Sequence, residues 1–71
     1  MQITGTVSYI SLSGGFWGII GDDGNKYNPL SGLPRNLQQE GIKVKASCKP
    51  SNDFSIHMWG KNVDLTNVEK I

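Results

Sequence analysis

The most regular alternation of apolar and polar positions lies in the segment IKVKASCK, residues 42–49. A period of two residues predicts a β-strand with one buried and one exposed face. The residues expected to point inward are Ile42, Val44, Ala46 and Cys48, and those expected to point outward are Lys43, Lys45, Ser47 and Lys49. A solvated face explains the lysines, which also discourage edge-to-edge pairing with another sheet.

The N-terminal segment QITGTVSYISL, residues 2–12, is rich in β-branched residues and predicts a long first strand. Its apolar residues first occupy odd positions, at Ile3, Val7 and Tyr9. They then occupy even positions, at Ile10 and Leu12. This change predicts a β-bulge or strong coiling near Ser8. Gly5 is expected where the sheet must curl.

Two further strands are predicted directly after this one, to give a three-stranded meander. SGG at 13–15 is a turn, and FWGIIG at 16–21 is the second strand. DDGN at 22–25 is a hairpin signal, because Asp-Gly and Gly-Asn tolerate positive φ. KYNP at 26–29 is a short third strand that ends at its proline, which cannot donate a ladder hydrogen bond.

The segment SGLPRNLQQEG then predicts one short helix over residues 34–40. Leu33 and Leu37 are four residues apart, Pro34 suits a first helical turn, and Gly41 suits the position after the last turn. This helix is expected to cover one end of the sheet.

The C-terminal third is expected to return to the sheet. PSND turns the chain, and FSIHMWG and NVDLTNVEKI follow as strands, with a kink at Gly60–Lys61 and a parity change at Asn67. The order of elements predicts a mainly β fold, a five- or six-stranded OB-like barrel with one short helix between strands 3 and 4. Residues 1–71 form a single domain in this interpretation, and an SH3-like barrel is the alternative.

Composition excludes several classes of protein. The chain has 71 residues and a formal net charge of +1, with no run of like charge, so no polybasic arm or acidic tail is expected. One cysteine cannot form an internal disulfide, which excludes a disulfide-stapled scaffold. We expect no signal peptide, no membrane-spanning segment, a monomeric state and a cytoplasmic location.

The sequence also lacks the constellations that catalysis and metal binding need. It contains one histidine, His57, and one cysteine, Cys48, the latter on an inward-facing parity. Residues 22–25 lack the ligand spacing and the terminal glutamate of a calcium loop. No glycine-rich phosphate loop leads into a helix. We therefore predict a protein that is not an enzyme, with no catalytic residue, no metal and no cofactor.

Aromatic residues are the candidate binding chemistry. In the second strand, Phe16, Gly18 and Ile20 face one way, and Trp17, Ile19 and Gly21 face the other. One set fills the barrel, and the glycines let the strand coil. Either every ring is core, or some rings form an exposed platform. The tentative ligand-binding residues are Trp17, Lys26, Tyr27, His57 and Trp59.

GTVSYI and GGFWGIIGDDG resemble the opening of cold-shock domains, whose pattern is a G-x-V strand, then K-G-F-G-F-I, an acidic Asp-Gly turn and V-F-V-H. EGIKVKASCK, residues 40–49, is similar to their E-G-x-x-V-x-F strand. The resemblance implies an OB-fold that binds single-stranded nucleic acid through stacked aromatic residues. The chain departs from the pattern in lacking the lysine before Phe16 and in having KYNP in place of V-F-V-H.

The chain also resembles a set of small prokaryotic single-domain proteins with G-F-W-G-I-x-G-D-D-G and S-I-x-M-W-G segments. That resemblance implies a stand-alone OB-like domain and assigns no function to it. Two hypotheses follow for a non-catalytic binding module. It binds single-stranded nucleic acid weakly, or it is a protein-interaction or assembly domain with no nucleic-acid role.

Overall fold

A computed structural model describes residues 1–12, 14–30, 32–51 and 59–71. It contains five β-strands and one turn of 3-10 helix. The strands are β1 (Gln2–Ile10), β2 (Phe16–Gly21), β3 (Lys26–Pro29), β4 (Lys43–Pro50) and β5 (Lys61–Lys70). The part of the segment FSIHMWG before Trp59, which was predicted to begin the return of the chain, lies outside the described residues.

The five strands form a closed barrel in the order β1-β2-β3-β5-β4. Strand β1 pairs antiparallel with both β2 and β4, and β3 pairs parallel with β5 to complete the ring. A three-stranded meander followed by two strands that close the ring is the arrangement of an OB-like barrel. The predicted fold class is therefore confirmed, with five strands in the described part of the chain.

Strand β1 closes the barrel because it coils between two partners. It pairs with β2 from Gly5 to Ile10 and with β4 from Gln2 to Thr6, so Gly5 is paired on both sides. A Cβ at position 5 would lie 2.9 Å from the Cα of Gly21 and would overlap the backbone carbonyl of Ile20. Glycine at this position allows the close approach of β1 and β2.

The core fills the barrel with side chains from every strand. Val7, Ile19, Val44 and Val63 are fully buried, and Leu33 and Leu37, from the segment between β3 and β4, belong to the same buried cluster. The inward set predicted for residues 42–49 is confirmed, since Val44, Ala46 and Cys48 are buried and Ile42 packs against them. The lysines of β4 are exposed, as predicted.

Of the two alternatives predicted near Ser8, the bulge is absent from the pairing of β1 with β2, whereas coiling of β1 between β2 and β4 is present. The register between β1 and β2 runs without interruption from Gly5–Gly21 to Ile10–Phe16. Tyr9 keeps the parity of the buried residues Ile3 and Val7, but it is 46% exposed. The strand also ends at Ile10, two residues earlier than predicted.

The parity change predicted at Asn67 is confirmed. The pairing of β4 with β5 shifts register between Ser47 and Cys48, which are paired with Asn67 and Leu65 respectively. Thr66 is the extra residue on β5, and its hydroxyl donates a hydrogen bond of 3.1 Å to the carbonyl of Ser47. The bulge lets β5 bend and continue along β4 to Lys70.

The helix predicted over residues 34–40 is reduced to a single 3-10 turn, Arg35–Leu37. No side chain caps its N-terminus, and the backbone leaves helical geometry at Gln38. A segment this short gains too few hydrogen bonds to offset the cost of helix nucleation, so burial of Leu33 and Leu37 determines its path.

The residues that the structure describes include no helix with the length and apolar character needed to span a membrane.

We predict that Gly5→Ala lowers the free energy of unfolding by about 1–3 kcal/mol, because the added methyl group forces β1 away from β2. Urea denaturation followed by circular dichroism measures the change. Thr4→Ala, an exposed change in the same strand, is the control and should alter stability by less than about 0.5 kcal/mol. Equal stability of the two variants would contradict a tight contact at Gly5.

Candidate ligand-binding surface

The outer face of β2 carries a tryptophan that comes from the opposite end of the chain. Trp59 lies over Gly18, and a Cβ at position 18 would overlap the six-membered ring of its indole. Strand β1 borders this contact, since Ser8 pairs with Gly18 and Ile10 pairs with Phe16. The absence of a side chain at Gly18 therefore provides the space that the Trp59 ring occupies.

Gly60 fixes the position of Trp59. Its φ is +67°, which favours glycine, and a Cβ there would lie 2.6 Å from the backbone carbonyl oxygen of Lys26. The chain thus packs directly on the backbone of β3 before it enters β5 at Lys61. This contact gives a physical reason for the kink predicted at Gly60–Lys61.

Two side chains border the Trp59 ring. The Phe16 ring meets it edge to face, with centroids 5.5 Å apart and an interplanar angle of 73°. The Lys26 ammonium nitrogen lies 5.9 Å from the centroid of the indole, within the range of a cation–π contact. We call the outward-facing group Phe16, Gly18, Ile20, Lys26 and Trp59 the Trp59 surface.

The Trp59 surface combines apolar area with one cation. Phe16 and Trp59 are both half-buried, and Ile20 is 39% exposed although it is a large apolar side chain. Lys26, which pairs with Ile20 across β2 and β3, is exposed. Among the described residues, no carboxylate forms an ion pair with Lys26, whereas Lys43 is paired with Asp22 at 2.7 Å.

The structure separates the residues that the sequence analysis named as ligand-binding candidates. Lys26 and Trp59 lie together on the outer face. Trp17 instead packs against the core and meets Tyr9 edge to face, with ring centroids 5.2 Å apart. Tyr27 lies in the core and is only 3% exposed. His57 lies outside the described residues.

Phe16 belongs to the Trp59 surface and Tyr27 does not, although the sequence analysis named Tyr27 as a ligand-binding candidate and left Phe16 out. The signal that identifies it is parity: Ile19 is the fully buried residue of β2, so Trp17 shares the inner face and Phe16 shares the outer face with Gly18. The sequence alone left open which of the two sets faces the core.

Tyr27 serves to anchor the turn between β2 and β3. Its hydroxyl donates a hydrogen bond of 3.0 Å to the carboxylate of Asp23, which also accepts bonds from the backbone and side-chain nitrogens of Asn25. The bond from the Asn25 backbone is the main cause that lowers the pKa of Asp23. Burial, followed by the neighbouring Asp23, raises the pKa of Tyr27.

Two observations concern nucleophilic and metal-binding side chains. Cys48 is buried, and burial raises the pKa of its thiol, which disfavours the reactive thiolate. Within residues 1–12, 14–30, 32–51 and 59–71, no group of three or more His, Cys, Asp or Glu side chains could hold a metal ion. The Trp59 surface is suited to stacking and charge attraction.

No protein-family model matches the chain, and neither a curated protein nor a solved structure matches it. The barrel itself is established by its strand pairing, and the cold-shock likeness stays a resemblance in the motifs.

We predict that Gly18→Ala displaces the Trp59 ring. In a Trp17→Phe background all tryptophan emission comes from Trp59, since the chain has two tryptophans. The added methyl group should increase acrylamide quenching of that emission by about twofold or more, because the ring loses its seat on the strand. Ser8→Ala, at the position paired with Gly18, is the control. Unchanged quenching would contradict the packing of Trp59 on Gly18.

We predict that Asp23→Asn weakens the acid sensitivity of the domain. A lowered carboxylate pKa contributes stability above the unfolded value, and this contribution is lost as the pH falls through the folded pKa. Urea midpoints at about pH 6 and pH 2.5 should therefore differ less for the variant than for the wild type. Glu69→Gln, an exposed change on β5, should keep the wild-type difference. If Asp23→Asn keeps the wild-type difference between the two urea midpoints, the Asp23 carboxylate does not contribute to the acid sensitivity of the domain.

Proposed function

We propose that the domain is a non-catalytic binding module that binds single-stranded nucleic acid weakly through the Trp59 surface. The observation that supports it is the placement of Phe16 and Trp59 in mutual contact on the outer face, with the Lys26 ammonium group beside them. Proteins that bind single strands combine aromatic rings, on which bases stack, with cations that attract phosphates.

The sequence departs from the cold-shock pattern in β2, where the second phenylalanine of the pattern is missing. The position of Trp59 supports the likeness at this point of the strand. Within K-G-F-G-F-I, Phe16 occupies the first phenylalanine position and Gly18 occupies the second. The ring of Trp59 lies over Gly18, so a second aromatic group stands at that point of the strand although it comes from residue 59. Two rings beside each other can contact two successive bases.

The charge of the surface argues for weak binding. The chain has a net charge of +1, and Lys26 is the cation in contact with the Trp59 ring. One neutralised phosphate on a single strand contributes a slope of about −0.7 in the dependence of log K on log salt concentration. We therefore expect stacking to supply most of the binding free energy and salt to have a small effect.

Protein binding is the second candidate function, and a separate observation favours it. Tyr9 and Leu12 at the β1–β2 mouth are each 46% exposed, and Ile20 lies on the neighbouring outer face. Exposed apolar residues of this kind are common in interaction surfaces. Sedimentation and pull-down experiments without nucleic acid test this candidate. A defined protein complex that added oligonucleotide does not displace would favour a protein partner.

We predict that labelled single-stranded oligonucleotides bind the wild type, and that Lys26→Gln weakens binding about twofold to tenfold and reduces the salt slope by about 0.7. Titrations at about 20 and 200 mM salt, followed by fluorescence anisotropy, measure both effects. Lys45→Gln removes the same charge from the exposed face of β4 and is the matched control. The proposal fails if no oligonucleotide binds at low salt, or if the two variants weaken binding equally.

A further inference from the structure

The parallel ladder of β3 with β5 stops after the pair that joins Pro29 and Val63. The N–H of Leu30 still donates to the carbonyl of Val63 at 3.0 Å. The next bond of this kind would join the N–H of Gly32 to the carbonyl of Leu65. Gly32 donates instead to the carbonyl of Pro29 at 2.9 Å, so the ladder ends here although β5 continues.

The continuing part of β5 directs alternate backbone groups away from β4. The N–H of Ile71 donates to the carbonyl of Lys43 on β4 at 3.1 Å. Since successive residues of a paired strand point their N–H and C=O groups in opposite directions, those of Val68 and Lys70 face the other side. We call this side of residues 65–70 the β5 edge.

A cavity of about 450 Å³ lies against the β5 edge. Its described lining includes Leu65 and Val68 on one side and Leu33 and Pro34 on the other. Leu65 and Val68 are half-buried and pack against the core, to which Leu33 belongs. The cavity therefore forms an apolar recess beside the outward-facing backbone groups of β5, and its volume lies within the range of about 300–1,000 Å³ typical of ligand sites.

We propose that the β5 edge binds an extended peptide segment of another protein, which adds a strand to the barrel at the point where β3 ends. An added strand is bound through main-chain hydrogen bonds, and its alternate side chains enter pockets beside the edge. The backbone groups of Val68 and Lys70 supply the hydrogen bonds, and the recess beside Leu65 and Leu33 takes an apolar side chain. This inference goes beyond the proposed function, because the β5 edge is separate from the Trp59 surface.

The charge at Glu69 favours a different protein over a second copy of this chain. Glu69 is exposed between Val68 and Lys70. If two β5 edges paired antiparallel through Val68 and Lys70, Glu69 would lie directly opposite the Glu69 of the second copy. Like charges directly opposite each other on paired strands are destabilising. A partner strand with an uncharged or basic residue at this position avoids the repulsion.

The test begins with a display library of random peptides of about eight residues, a common strand length. The library is selected on the immobilised full chain, and the enriched peptides are synthesised. Each is titrated into the ¹⁵N-labelled full chain and followed by NMR. We expect at least one peptide to give saturable amide shifts at Leu65, Val68 and Lys70. Absence of enrichment, or shifts confined to the Trp59 surface or to Tyr9 and Leu12, would overturn the proposal.

Methylation of the peptide backbone tests strand addition without any change in the protein. An extended peptide points alternate N–H groups toward β5. N-methylation of one of these should weaken the Kd about tenfold, whereas N-methylation of the neighbouring residues should change it by less than about twofold. Equal losses at all positions, or no loss at any position, would overturn strand addition.

A protein variant tests the same hydrogen bonds from the side of β5. Lys70→Pro removes the N–H that faces the β5 edge and keeps the ladder with β4, because proline is tolerated where a strand N–H faces outward. It should weaken the Kd of the peptide about fivefold to tenfold. Lys70→Gln removes the same charge but keeps the N–H, and as the matched control it should change the Kd by less than about twofold. Equal effects of the two variants would contradict the proposal.

Two further measurements separate this proposal from its alternatives. Oligonucleotide binding should be the same for Lys70→Pro and the wild type, so each function can fail without the other. Sedimentation equilibrium of the full chain up to about 1 mM tests for a weak dimer. A dimer that Lys70→Pro dissociates would overturn the choice of partner and assign the β5 edge to a second copy.

Discussion

The fold depends on the close approach of backbones at positions where glycine leaves no side chain between them. At Gly5 the approach brings β1 against β2, so that β1 can coil from β2 to β4 and close the ring. At Gly60 the same kind of contact places the chain on the backbone of β3. A barrel this small has few residues with which to build a core, so tight backbone packing is a substantial part of its cohesion.

The candidate binding surface arises from the same constraint. Gly18 leaves a space on the outer face of β2, and Trp59 fills it with a ring that would otherwise be a solvent-exposed side chain. The contact buries one part of the indole and leaves the rest beside Phe16 and Lys26. Tyr27 is therefore part of the core and Trp17 packs against it, whereas Trp59 stays partly exposed on the outer face, where we propose that binding takes place.

Local patterns predicted most of the fold, and long-range contacts determined what they missed. Strict alternation identified β4, and the parity change predicted at Asn67 corresponds to the bulge at Thr66. The segment after Pro34 had helical spacing without the length to sustain a helix. The separation of Tyr27 from Trp59 could not be predicted, because the inner face of a short strand depends on which register closes the barrel.

The parallel pairing of β3 with β5 joins two parts of the chain that are more than thirty residues apart, as in Tyr27 with Lys61. Trp59 lies two residues before β5, so the pairing of β5 with β3 helps to hold its ring on Gly18. Contacts between such distant residues carry a larger loop-closure entropy cost than the pairing of β1 with β2 or of β2 with β3. A molecule bound to both Phe16 and Trp59 would contact β2 and the residues that lead into β5, on either side of β3, so its binding would stabilise the closed ring.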